Sequence, residues 1–328
     1  MLILTRHEIE SLLTVNDVIA AVEAGFAQLS AGGVVMPQRV PTQVAPYGGM
    51  HLSMPVFVSG DPGTLSIKAI TVYPDNPAKY GLPMVQGVVL LYDAVNGKLL
   101  AMMDAEEVTA MRTGAASGVA TKHLARADAS TVLLFGAGAV GPAQLAAVCA
   151  VRPIQKAFVI TRSGDKDAEF CEKMAQRLGI EVEPIRNPQS AVRNSDIICT
   201  ATTSSTPLFD GTWLQPGTHI NGVGSYNARM QEVDATTVRR ARVFVDRIQA
   251  AQTEAGDLLI PINKGEITLD HIAGELGQVI NGTLAGRSNA EEITFFKSVG
   301  TAMQDAVTAS VVYRKALAQG MGQEISLV

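Results

Sequence analysis

The sequence predicts an α/β protein that combines a doubly wound parallel sheet with a second region built on a separate sheet. The chain has 328 residues, more than one hydrophobic core usually holds, so we expect two domains. Strand-like and helix-like runs alternate from Thr131 onward, which is typical of a parallel sheet. Before Glu106, apolar runs follow one another without helices between them, which indicates an antiparallel or mixed sheet.

The composition suits buried strands and argues against several classes of partner. Hydrophobic residues make up 47% of the chain and charged residues 17%, so the chain has enough apolar material for strands covered on both faces. The net charge of −5 gives no basic surface for nucleic acid. The N-terminus lacks the basic and apolar regions of a signal peptide, and the 3 cysteines have no metal-ligand spacing. We therefore expect a cytoplasmic protein with small-molecule ligands and without a metal, nucleic-acid or membrane partner.

The N-terminal region is predicted to contain a helix followed by strands. Thr14 to Asp17 resembles a helix start, apolar residues then recur at helical spacing, and Gly32-Gly33 ends the pattern. The expected strands are the apolar runs at 52–58, 64–71, 84–92 and 98–103. The Asn96-Gly97 step favours a tight hairpin between the last two of these strands.

Two long Ala-rich segments are predicted to be helices. Residues 106–126 lead directly into the apolar run at 131–135, so we interpret this helix as the connection between the domains. Residues 301–318 form the second helix, close to the C-terminus. Between the two helices, further strands of the parallel sheet are expected at 157–161, 181–185, 196–200, 219–223 and 243–245.

The segment Gly136-Ala137-Gly138-Ala139-Val140-Gly141 has the G-x-G-x-x-G pattern of a Rossmann dinucleotide-binding site. It follows an apolar run and precedes a helix-like segment, which is the context that gives this pattern its meaning. The first glycine permits a tight turn, the second lets the backbone approach a pyrophosphate, and the third lets the helix pack against the strand. The helix N-terminus adds positive partial charge for the phosphates. We therefore predict dinucleotide binding rather than an ordinary glycine turn.

The end of the second expected strand bears on which dinucleotide binds. Thr161 lies 20 residues beyond Gly141, where NAD-binding sites usually carry an acid for the ribose 2′-hydroxyl. This chain has Thr161-Arg162-Ser163 there, and an arginine between two hydroxyls suits a 2′-phosphate. The alternative is that Arg162 is a solvated surface residue, and Asp165 lies close by. We predict that NADP(H) is the preferred cofactor and NAD(H) an alternative one.

Three cations in the N-terminal half are candidates for binding a small anion. Arg39 follows a proline-containing segment, and Arg112 lies on the predicted connecting helix. Lys68 interrupts an apolar strand, where a buried lysine normally needs a partner. From spacing alone, pairing of each cation with a protein carboxylate such as Asp104 or Glu107 is the better explanation.

Several short motifs are distributed over nearly the whole chain. They are, in order, Ser66-Ile67-Lys68, Gly81-Leu82-Pro83, Met103-Asp104 through Thr109-Ala110-x-Arg112-Thr113, Gly136-Ala137-Gly138, His219-Ile220-Asn221, Glu254-x-Gly256-Asp257 and Phe296-Lys297-Ser298-x-Gly300. Together they resemble the ornithine cyclodeaminase/mu-crystallin family. The resemblance implies a Rossmann domain, residues 119–295, inserted in an α+β domain for substrate binding and dimerisation, residues 1–118 and 296–328. It also implies a homodimer.

The resemblance assigns roles to individual residues. Arg39, Lys68 and Arg112 would bind the carboxylate of an α-imino or α-amino acid, which favours a substrate site over simple pairing with protein carboxylates. The candidate catalytic residues are Lys68, Arg112 and Tyr226. The candidate cofactor-binding residues are Gly136, Gly138, Ala139, Val140, Gly141, Thr161, Arg162, Ser163, Thr200, Thr202, Val223, Gly224 and Ser298.

One departure from the family pattern concerns the reaction. Cyclodeaminase members carry an aspartate in a V-G-G-D run, whereas this chain has Val223-Gly224-Ser225-Tyr226, and Met84 stands where cyclodeaminases have a hydroxyl residue. Without that carboxylate, a mechanism that needs a base to activate the substrate amine for ring closure is disfavoured. Reduction of a preformed cyclic imine needs only a bound carboxylate, a reduced nicotinamide and a proton donor. Tyr226 is either that donor, directly or through a water, or a packing residue.

We therefore expect an NAD(P)H-dependent reductase of cyclic α-imino acids. The expected substrates are Δ1-pyrroline-2-carboxylate, reduced to L-proline, and its six-membered homologue Δ1-piperideine-2-carboxylate, reduced to L-pipecolate. The alternatives are an ornithine cyclodeaminase, an alanine dehydrogenase-like enzyme that uses free ammonia, and a non-catalytic protein that binds NADPH and a small ligand.

Overall fold

Two units make up the chain, and the computed structural model describes residues 1–162, 164 and 167–326. Unit 1 comprises Met1–Arg112 and Thr301–Val328, and unit 2 comprises Thr113–Gly300. The sequence-based boundaries, after residue 118 and before residue 296, therefore differ from those of the structure by a few residues.

Unit 1 is built on a mixed sheet. Its strands are β1 (Leu2–Leu4), β2 (Val34–Val35), β3 (Val40–Val44), β4 (Gly49–Val58), β5 (Thr64–Val72), β6 (Val85–Asp93), β7 (Leu99–Asp104) and β16 (Gln323–Glu324). They lie in the order β16–β1–β7–β6–β5–β4–β2, and β3 pairs with another part of β4. Of the described strand pairs in this sheet, β1–β7 alone is parallel. The predicted mixed sheet is confirmed, since the expected apolar runs are β4 to β7 and the expected hairpin joins β6 to β7.

Helices cover one face of this sheet. They are α1 (Arg6–Leu12), α2 (Val15–Ser30), α12 (Ala302–Gln319) and the first part of α4 (Ala105–Leu124), whereas the short and largely exposed α3 (Asn76–Tyr80) lies in the connection between β5 and β6. Helix α2 begins where the sequence predicts, because the Thr14 hydroxyl accepts a hydrogen bond from the Asp17 amide at 3.2 Å. Helices α2 and α12 approach so closely that a Cβ on Gly25 would lie 2.2 Å from Met303 Sδ. The core of unit 1 lies between these two helices and the buried face of β4 to β6.

The opposite face of the same sheet is also apolar. One row of side chains crosses five strands, and the strand register aligns Pro55, Ile67, Leu90, Met102 and Ile3. All of these side chains are only partly buried. A continuous row of half-exposed apolar side chains is typical of a surface that packs against a partner.

No single helix of the described ranges is long and apolar enough to span a membrane. Helices α1 and α2 together reach that length and composition, but the chain bends by 88° between them.

Unit 2 contains a parallel sheet. Its strands are β8 (Thr131–Phe135), β9 (Lys156–Ile160), β10 (Glu181–Pro184), β11 (Ile197–Thr200), β12 (His219–Gly222), β13 (Ala241–Val245), β14 (Ile272–Glu275) and β15 (Ile293–Lys297). They lie in the order β10–β9–β8–β11–β12–β15–β13–β14, and every described pair is parallel. The chain therefore moves outward from β8 in both directions, which confirms the predicted doubly wound sheet.

Strands β8 to β13 match the strands predicted from the sequence, whereas β14 and β15 were not predicted. Strand β15 pairs in parallel with β12 on one side and with β13 on the other. All five of its residues are buried. Because a strand in the interior of a sheet belongs to that sheet, residues 296–300 are part of unit 2 and not of the domain that contains the N-terminus.

Helices pack on both faces of the parallel sheet. They are α5 (Gly141–Val151), α6 (Asp167–Leu178), α7 (Pro188–Arg193), α8 (Ala235–Arg240), α9 (Ile248–Glu254), α10 (Gly256–Asn263), α11 (Leu276–Ile280) and the remainder of α4. Each face has its own apolar cluster. One contains Phe135 and Phe209, whose rings stack with centroids 5.7 Å apart, and the other contains Leu134 and Leu145. Burial on both faces explains why these strands are nearly continuous apolar runs in the sequence.

Candidate active site

The three glycines of the G-x-G-x-x-G segment follow β8 and have three different environments. Gly136 has φ +98°, and a Cβ there would lie 2.7 Å from the carbonyl oxygen of Ala201. A Cβ on Gly141 would lie 2.4 Å from the carbonyl oxygen of Gly136. A Cβ on Gly138, in contrast, would meet nothing within 4 Å. The first and third glycines are therefore required by the turn and the packing, whereas the second leaves the backbone open to a ligand.

The N-terminus of α5 adds donors to this open segment. The helix begins at Gly141, and Val140 at the cap position has no polar side chain that could satisfy the first amides. Gly138 and Ala139 are exposed. An uncapped helix start next to an exposed glycine backbone suits a phosphate group, because amide donors and the helix dipole both favour an anion. This part of unit 2 fits the diphosphate of a dinucleotide.

The turn after β9 is bonded to a buried acid, Asp167, that the sequence analysis did not assign. The Thr161 hydroxyl donates a hydrogen bond to Asp167, the first residue of α6, and accepts one from the Gly164 amide at 3.1 Å. Asp167 is 2% exposed, so it lies under this turn and away from solvent. Arg162 is exposed, and the predicted site residue Ser163 lies outside the described residues. Arg186 also reaches the turn and donates to the Gly164 carbonyl at 3.3 Å.

The loops that follow β11 and β12 are joined by a buried acid, Glu232. Its carboxylate accepts hydrogen bonds from the Thr200 hydroxyl at 2.8 Å and from the Thr202 amide and hydroxyl at 2.7 and 2.8 Å. It also accepts from the amides of Gly224 and Ser225 at 2.8 and 3.0 Å. Three of the predicted cofactor-binding residues, Thr200, Thr202 and Gly224, therefore share one acceptor group. Val223, at the end of β12, is buried beside them.

A second buried acid, Asp257, binds the backbone of Glu232. Asp257 Oδ1 accepts hydrogen bonds from the amides of Glu232 and Val233 at 2.5 and 3.0 Å. Asp257 Oδ2 lies 2.8 Å from Lys297 Nζ in an ion pair that is fully buried. Burial, and next the charge of Asp257, raises the pKa of the Glu232 carboxyl, whereas Lys297 and the Thr202 donors act in the opposite direction.

Ser298 directly follows β15 and is also fixed by a buried acid. Its hydroxyl donates to Asp246 Oδ2 at 2.8 Å, and the amides of Val299 and Gly300 donate to the same oxygen at 2.9 and 2.8 Å. The described cofactor candidates thus all lie just beyond the carboxyl ends of β8, β9, β11, β12 and β15, or in the case of Thr200 at the last position of its strand. This edge of an open parallel sheet is where such folds bind their ligands.

Tyr226 lies in the loop between β12 and α8. It directly follows Ser225, whose amide is bound to Glu232 and whose hydroxyl donates to the Met230 carbonyl at 2.8 Å. The Tyr226 side chain is partly buried, and burial raises the pKa of its hydroxyl. The phenol is therefore neutral at physiological pH, so it suits a proton donor or a packing residue better than a base.

Two of the three predicted cations of unit 1, Lys68 and Arg112, form a buried cluster around one acid, Asp305 of α12. Lys68 Nζ lies 2.8 Å from Asp305 Oδ2, and Arg112 Nε lies 3.0 Å from Asp305 Oδ1. Arg112 Nη1 also donates to the Gln304 side-chain oxygen at 2.8 Å. Lys68 is 2% exposed and Arg112 6% exposed. The structure therefore brings Lys68 and Arg112 together on one carboxylate, which is neither Asp104 nor Glu107.

In this cluster two cations, Lys68 and Arg112, pair with one carboxylate, that of Asp305. Burial lowers the pKa of the Lys68 ammonium to about 8, Asp305 opposes that effect, and the charges of Arg112 and Arg39 add to it. Burial alone would raise the pKa of the Asp305 carboxyl, but Lys68 and Arg112 hold it below its usual range. Arg39, which is partly exposed, is thus close enough for its charge to act on Lys68.

The sequence analysis missed Asp305 and Gln304 because they lie far from the cations along the chain. A signal was nevertheless present, since Asp305 stands between Met303 and Ala306, and both of these are fully buried on α12. An acid within the buried face of a helix requires a cation. Gln304 is likewise buried, and its Nε2 has no hydrogen-bond partner among the described residues.

Comparison with known proteins gives a match over nearly the whole chain. A sequence model of the ornithine cyclodeaminase/mu-crystallin family matches residues 1–320. A curated Δ1-pyrroline-2-carboxylate reductase of Bacillus cereus is 38% identical over 326 residues, which cover 99% of this chain and 99% of that protein.

Solved structures give the same result for the fold. The Δ1-pyrroline-2-carboxylate reductase of Thermococcus litoralis, in complex with NADH and L-proline, is 42% identical with a TM-score of 0.95, and the match covers 99% of this chain and 100% of that chain. An archaeal alanine dehydrogenase, a dimer with bound NAD, is 33% identical with a TM-score of 0.93, and the match covers 100% of this chain and 99% of that chain. The likeness therefore includes both units.

Proposed function

The chain belongs to the ornithine cyclodeaminase/mu-crystallin family, and from this premise we propose that it is an NAD(P)H-dependent oxidoreductase that reduces the C=N bond of cyclic α-imino acids. Its first substrate is Δ1-pyrroline-2-carboxylate, which it reduces to L-proline. Δ1-Piperideine-2-carboxylate, reduced to L-pipecolate, is the second. The relatives with 38% and 42% identity are reductases of the first compound.

The observation that carries this proposal is the buried cation cluster of unit 1. Lys68 and Arg112 share the single carboxylate of Asp305, so the cations outnumber the acid. The buried Gln304 Nε2 adds a donor that has no partner in the described part of the chain. A substrate carboxylate supplies the missing charge and acceptors, and each charge-assisted hydrogen bond contributes about 1.5–3 kcal/mol.

The residues of the cluster would act mainly by orienting the substrate. Once Lys68 and Arg112 hold the carboxylate, the adjacent C=N carbon is fixed as well, because one bond separates the two groups. When bound, the reduced nicotinamide supplies the hydride for that carbon. The product nitrogen carries one proton that a neutral imine lacks. The Tyr226 hydroxyl, directly or through a water, is the candidate donor, whereas an iminium substrate already carries this proton.

NADP(H) is the cofactor that we propose for this chain, with NAD(H) as the alternative. Arg162 supports this choice because it is exposed at the end of β9, where a dinucleotide presents its ribose 2′ position. Asp167 is buried and bonded to Thr161, so it is not presented to a ribose hydroxyl. The two similar solved structures contain NADH and NAD, so the preference for the phosphorylated cofactor is a property proposed for this chain.

A second candidate function is an alanine dehydrogenase-like reductive amination. The 33% identity to the archaeal alanine dehydrogenase favours it, and the same cation cluster would bind the carboxylate of a 2-oxo acid. Ornithine cyclodeamination is disfavoured because Tyr226 stands where that reaction needs a carboxylate base.

We also propose that the protein is a homodimer that forms through the exposed sheet face of unit 1. The row Pro55, Ile67, Leu90, Met102 and Ile3 supports this proposal, because a second copy of the chain would bury apolar side chains that are now half exposed. The alanine dehydrogenase relative is a dimer. Leu90→Glu should convert the dimer to a monomer in analytical ultracentrifugation, and a monomeric wild-type protein would refute the proposal.

We propose a cytoplasmic location because the cysteine thiols are free and form no disulfide with one another. Cys149, Cys171 and Cys199 are free, and burial raises the pKa of the first two to about 12 and about 11. Unreactive free thiols fit a reducing compartment.

The reaction is tested by following NADPH and NADH oxidation with a panel of substrates. The panel contains Δ1-pyrroline-2-carboxylate, Δ1-piperideine-2-carboxylate, pyruvate with ammonia, and L-ornithine with NAD⁺. Rapid turnover of the cyclic imines, with little or none of pyruvate and no ammonia from L-ornithine, is the expected result. Preferred turnover of pyruvate with ammonia would select the second candidate, and cofactor binding without any turnover would indicate a non-catalytic protein.

A further inference from the structure

We infer that Glu232 is a positioning residue for the cofactor, because it fixes the loops after β11 and β12 against which the dinucleotide would bind. This inference rests on the proposed function, since it assumes that unit 2 binds a nicotinamide dinucleotide. It adds a residue to that site that would not touch the cofactor but would hold the groups that do.

The described donors to the Glu232 side chain come from the last residue of β11 and from these two loops. Its Oε1 accepts from the amide and the hydroxyl of Thr202, and its Oε2 accepts from Thr200, Gly224 and Ser225. Buried amides that do not pair within a sheet need another acceptor, and here one carboxylate provides it for both loops. Glu232 therefore couples the position of one loop to that of the other.

The backbone of Gly224 packs directly against Thr202 and Glu232. A Cβ on Gly224 would lie 2.3 Å from the Thr202 carbonyl oxygen and 2.4 Å from Glu232 Oε1. The loops can adopt this arrangement only because residue 224 is glycine. These short distances indicate that the two loops and the Glu232 carboxylate pack tightly together and do not move independently.

Glu232 is itself held through its backbone by other elements of unit 2. Asp257 of α10 binds the Glu232 amide, and Lys297 at the end of β15 binds Asp257. Lys297 directly precedes Ser298, another predicted cofactor-binding residue. The network thus runs from β15 through α10 to the loops after β11 and β12, and a rigid supporting network of this kind places binding groups accurately.

The chemistry of the side chain makes Glu232→Gln an informative variant. A carboxylate accepts hydrogen bonds on both oxygens, whereas an amide has one acceptor oxygen and one nitrogen that only donates. In Glu232→Gln, the nitrogen faces the donors of at least one loop, so that loop must move. The variant keeps the volume and removes the acceptor, which separates positioning from packing.

The experiment measures cofactor affinity without relying on turnover. We expect Glu232→Gln to raise the Kd for NADH and NADPH, measured by calorimetry, by about 10- to 100-fold, the loss expected for one or two mispaired hydrogen bonds. Hydrogen exchange of the amides at 200–204 and 222–226 should be faster in the variant without cofactor. At saturating cofactor, the KM for the imine should stay within about twofold of wild type, because Lys68 and Arg112 are unchanged.

Asp196→Asn is the matched control. Asp196 also accepts hydrogen bonds from two amides and a hydroxyl, those of Ser130 and Thr131, but it lies at the amino end of the sheet. This variant should lose thermal stability to a similar degree and keep the wild-type Kd for both cofactors.

The outcomes separate the inference from the proposed function. Wild-type cofactor affinity in Glu232→Gln, or an equal loss in Asp196→Asn, would overturn the positioning role. If Glu232→Gln does not fold, Glu232→Asp decides, because it keeps the charge but is too short to reach both loops; wild-type affinity in that variant refutes the role. A wild-type protein that binds neither dinucleotide contradicts the proposed function itself.

Discussion

Lys68 and Asp305 form an ion pair with 2.8 Å between Nζ and Oδ2, and neither side chain exposes more than 2% of its surface. The pair joins strand β5 to helix α12, so it connects parts of unit 1 that are far apart in the sequence. Removing two charges from water is costly, and mutual attraction offsets that cost only in part. A lysine kept in such a place, with Arg112 on the same acid, is better explained by anion binding than by stability alone.

The pKa of Lys68 predicts how carboxylate binding depends on pH. Because burial lowers this pKa to about 8, the ammonium loses its proton as the pH rises above that value. We expect the affinity for pyrrole-2-carboxylate, a planar carboxylate that does not titrate in this range, to fall between pH 8 and 10. Calorimetry should detect the fall, and Lys68→Arg should remove it, since arginine stays charged. A flat profile for the wild-type protein would contradict this assignment.

The lowered pKa of Lys68 also affects the free energy of unfolding, which changes with pH in the direction opposite to ligand affinity. The unfolded lysine, with a pKa near 10.4, binds a proton between about pH 8 and 10.4 that the folded one has lost, so this group makes the protein more stable as pH rises through that window.

Asp305→Asn should shift the pH profile of ligand binding to lower pH. Asp305 raises the pKa of Lys68 against the effect of burial, so its removal lets that pKa fall further. Loss of one partner from a buried pair also costs about 3–5 kcal/mol of unfolding free energy. Chemical denaturation and the pyrrole-2-carboxylate titration measure the two effects separately. An unchanged titration midpoint would show that Asp305 does not control the charge of Lys68.

Arg112→Ala should lower kcat/KM for the cyclic imine by about 10²-fold or more, because the substrate loses both a charge and its alignment. Arg112→Lys should recover only part of the loss, since an ammonium lacks the two-pronged geometry of a guanidinium. Arg6→Ala is the control, because Arg6 also pairs with acids of unit 1 but is largely exposed. Similar losses in both variants would indicate a general effect on unit 1.

Arg162→Ala should weaken NADPH binding by about 1–3 kcal/mol and leave NADH binding nearly unchanged, because only NADPH carries the 2′-phosphate. Arg177→Ala removes the same charge from an exposed position on α6 and should affect neither cofactor. Kd values for both cofactors at two salt concentrations provide the measurement. Equal losses for NADPH and NADH would argue against a 2′-phosphate contact.

Tyr226→Phe tests the source of the proton. If the Tyr226 hydroxyl is the general acid, imine reduction should slow by about 10²–10⁴-fold. We favour the smaller effect of a packing residue, because an iminium needs no proton in the hydride step. Single-turnover rates at saturating NADPH decide between the two. Release of ammonia from L-ornithine by the wild-type protein would overturn the reductase assignment altogether.

The sequence predicts correctly those elements whose pattern lies within a few neighbouring residues. Strand β8 and the glycine turn after it are readable because hydrophobic runs and φ > 0 positions leave a mark within a few residues. Strand β15 was missed although three of its residues, Ile293, Phe295 and Phe296, are apolar, because it follows a long irregular segment and is inserted between strands that precede it in the chain. Its place is decided by the parallel ladders with β12 and β13, which are tertiary contacts.

The residues of the candidate site likewise differ in whether the local sequence predicts them. The cations Lys68 and Arg112 were predicted because charges within apolar segments are conspicuous, but their partner Asp305 lies on the last helix. Glu232 was not singled out for a related reason. Its five donors come from the end of β11 and from two loops that only the folded sheet brings to one point, and nothing in the local sequence distinguishes it from an ordinary surface glutamate.

The position of β15 also constrains when this chain can fold during synthesis. Strands β13 and β14 join the rest of their sheet only through β15, so a nascent chain that ends before Ile293 leaves them unattached. Residues 302–319, which complete unit 1, emerge later still. The apolar cluster that contains Phe295, and the core of unit 1, therefore stay incomplete until residues 293–319 have been made, and β13 and β14 stay detached from the rest of their sheet meanwhile. Truncation before Ile293 should therefore give aggregates rather than a smaller folded domain.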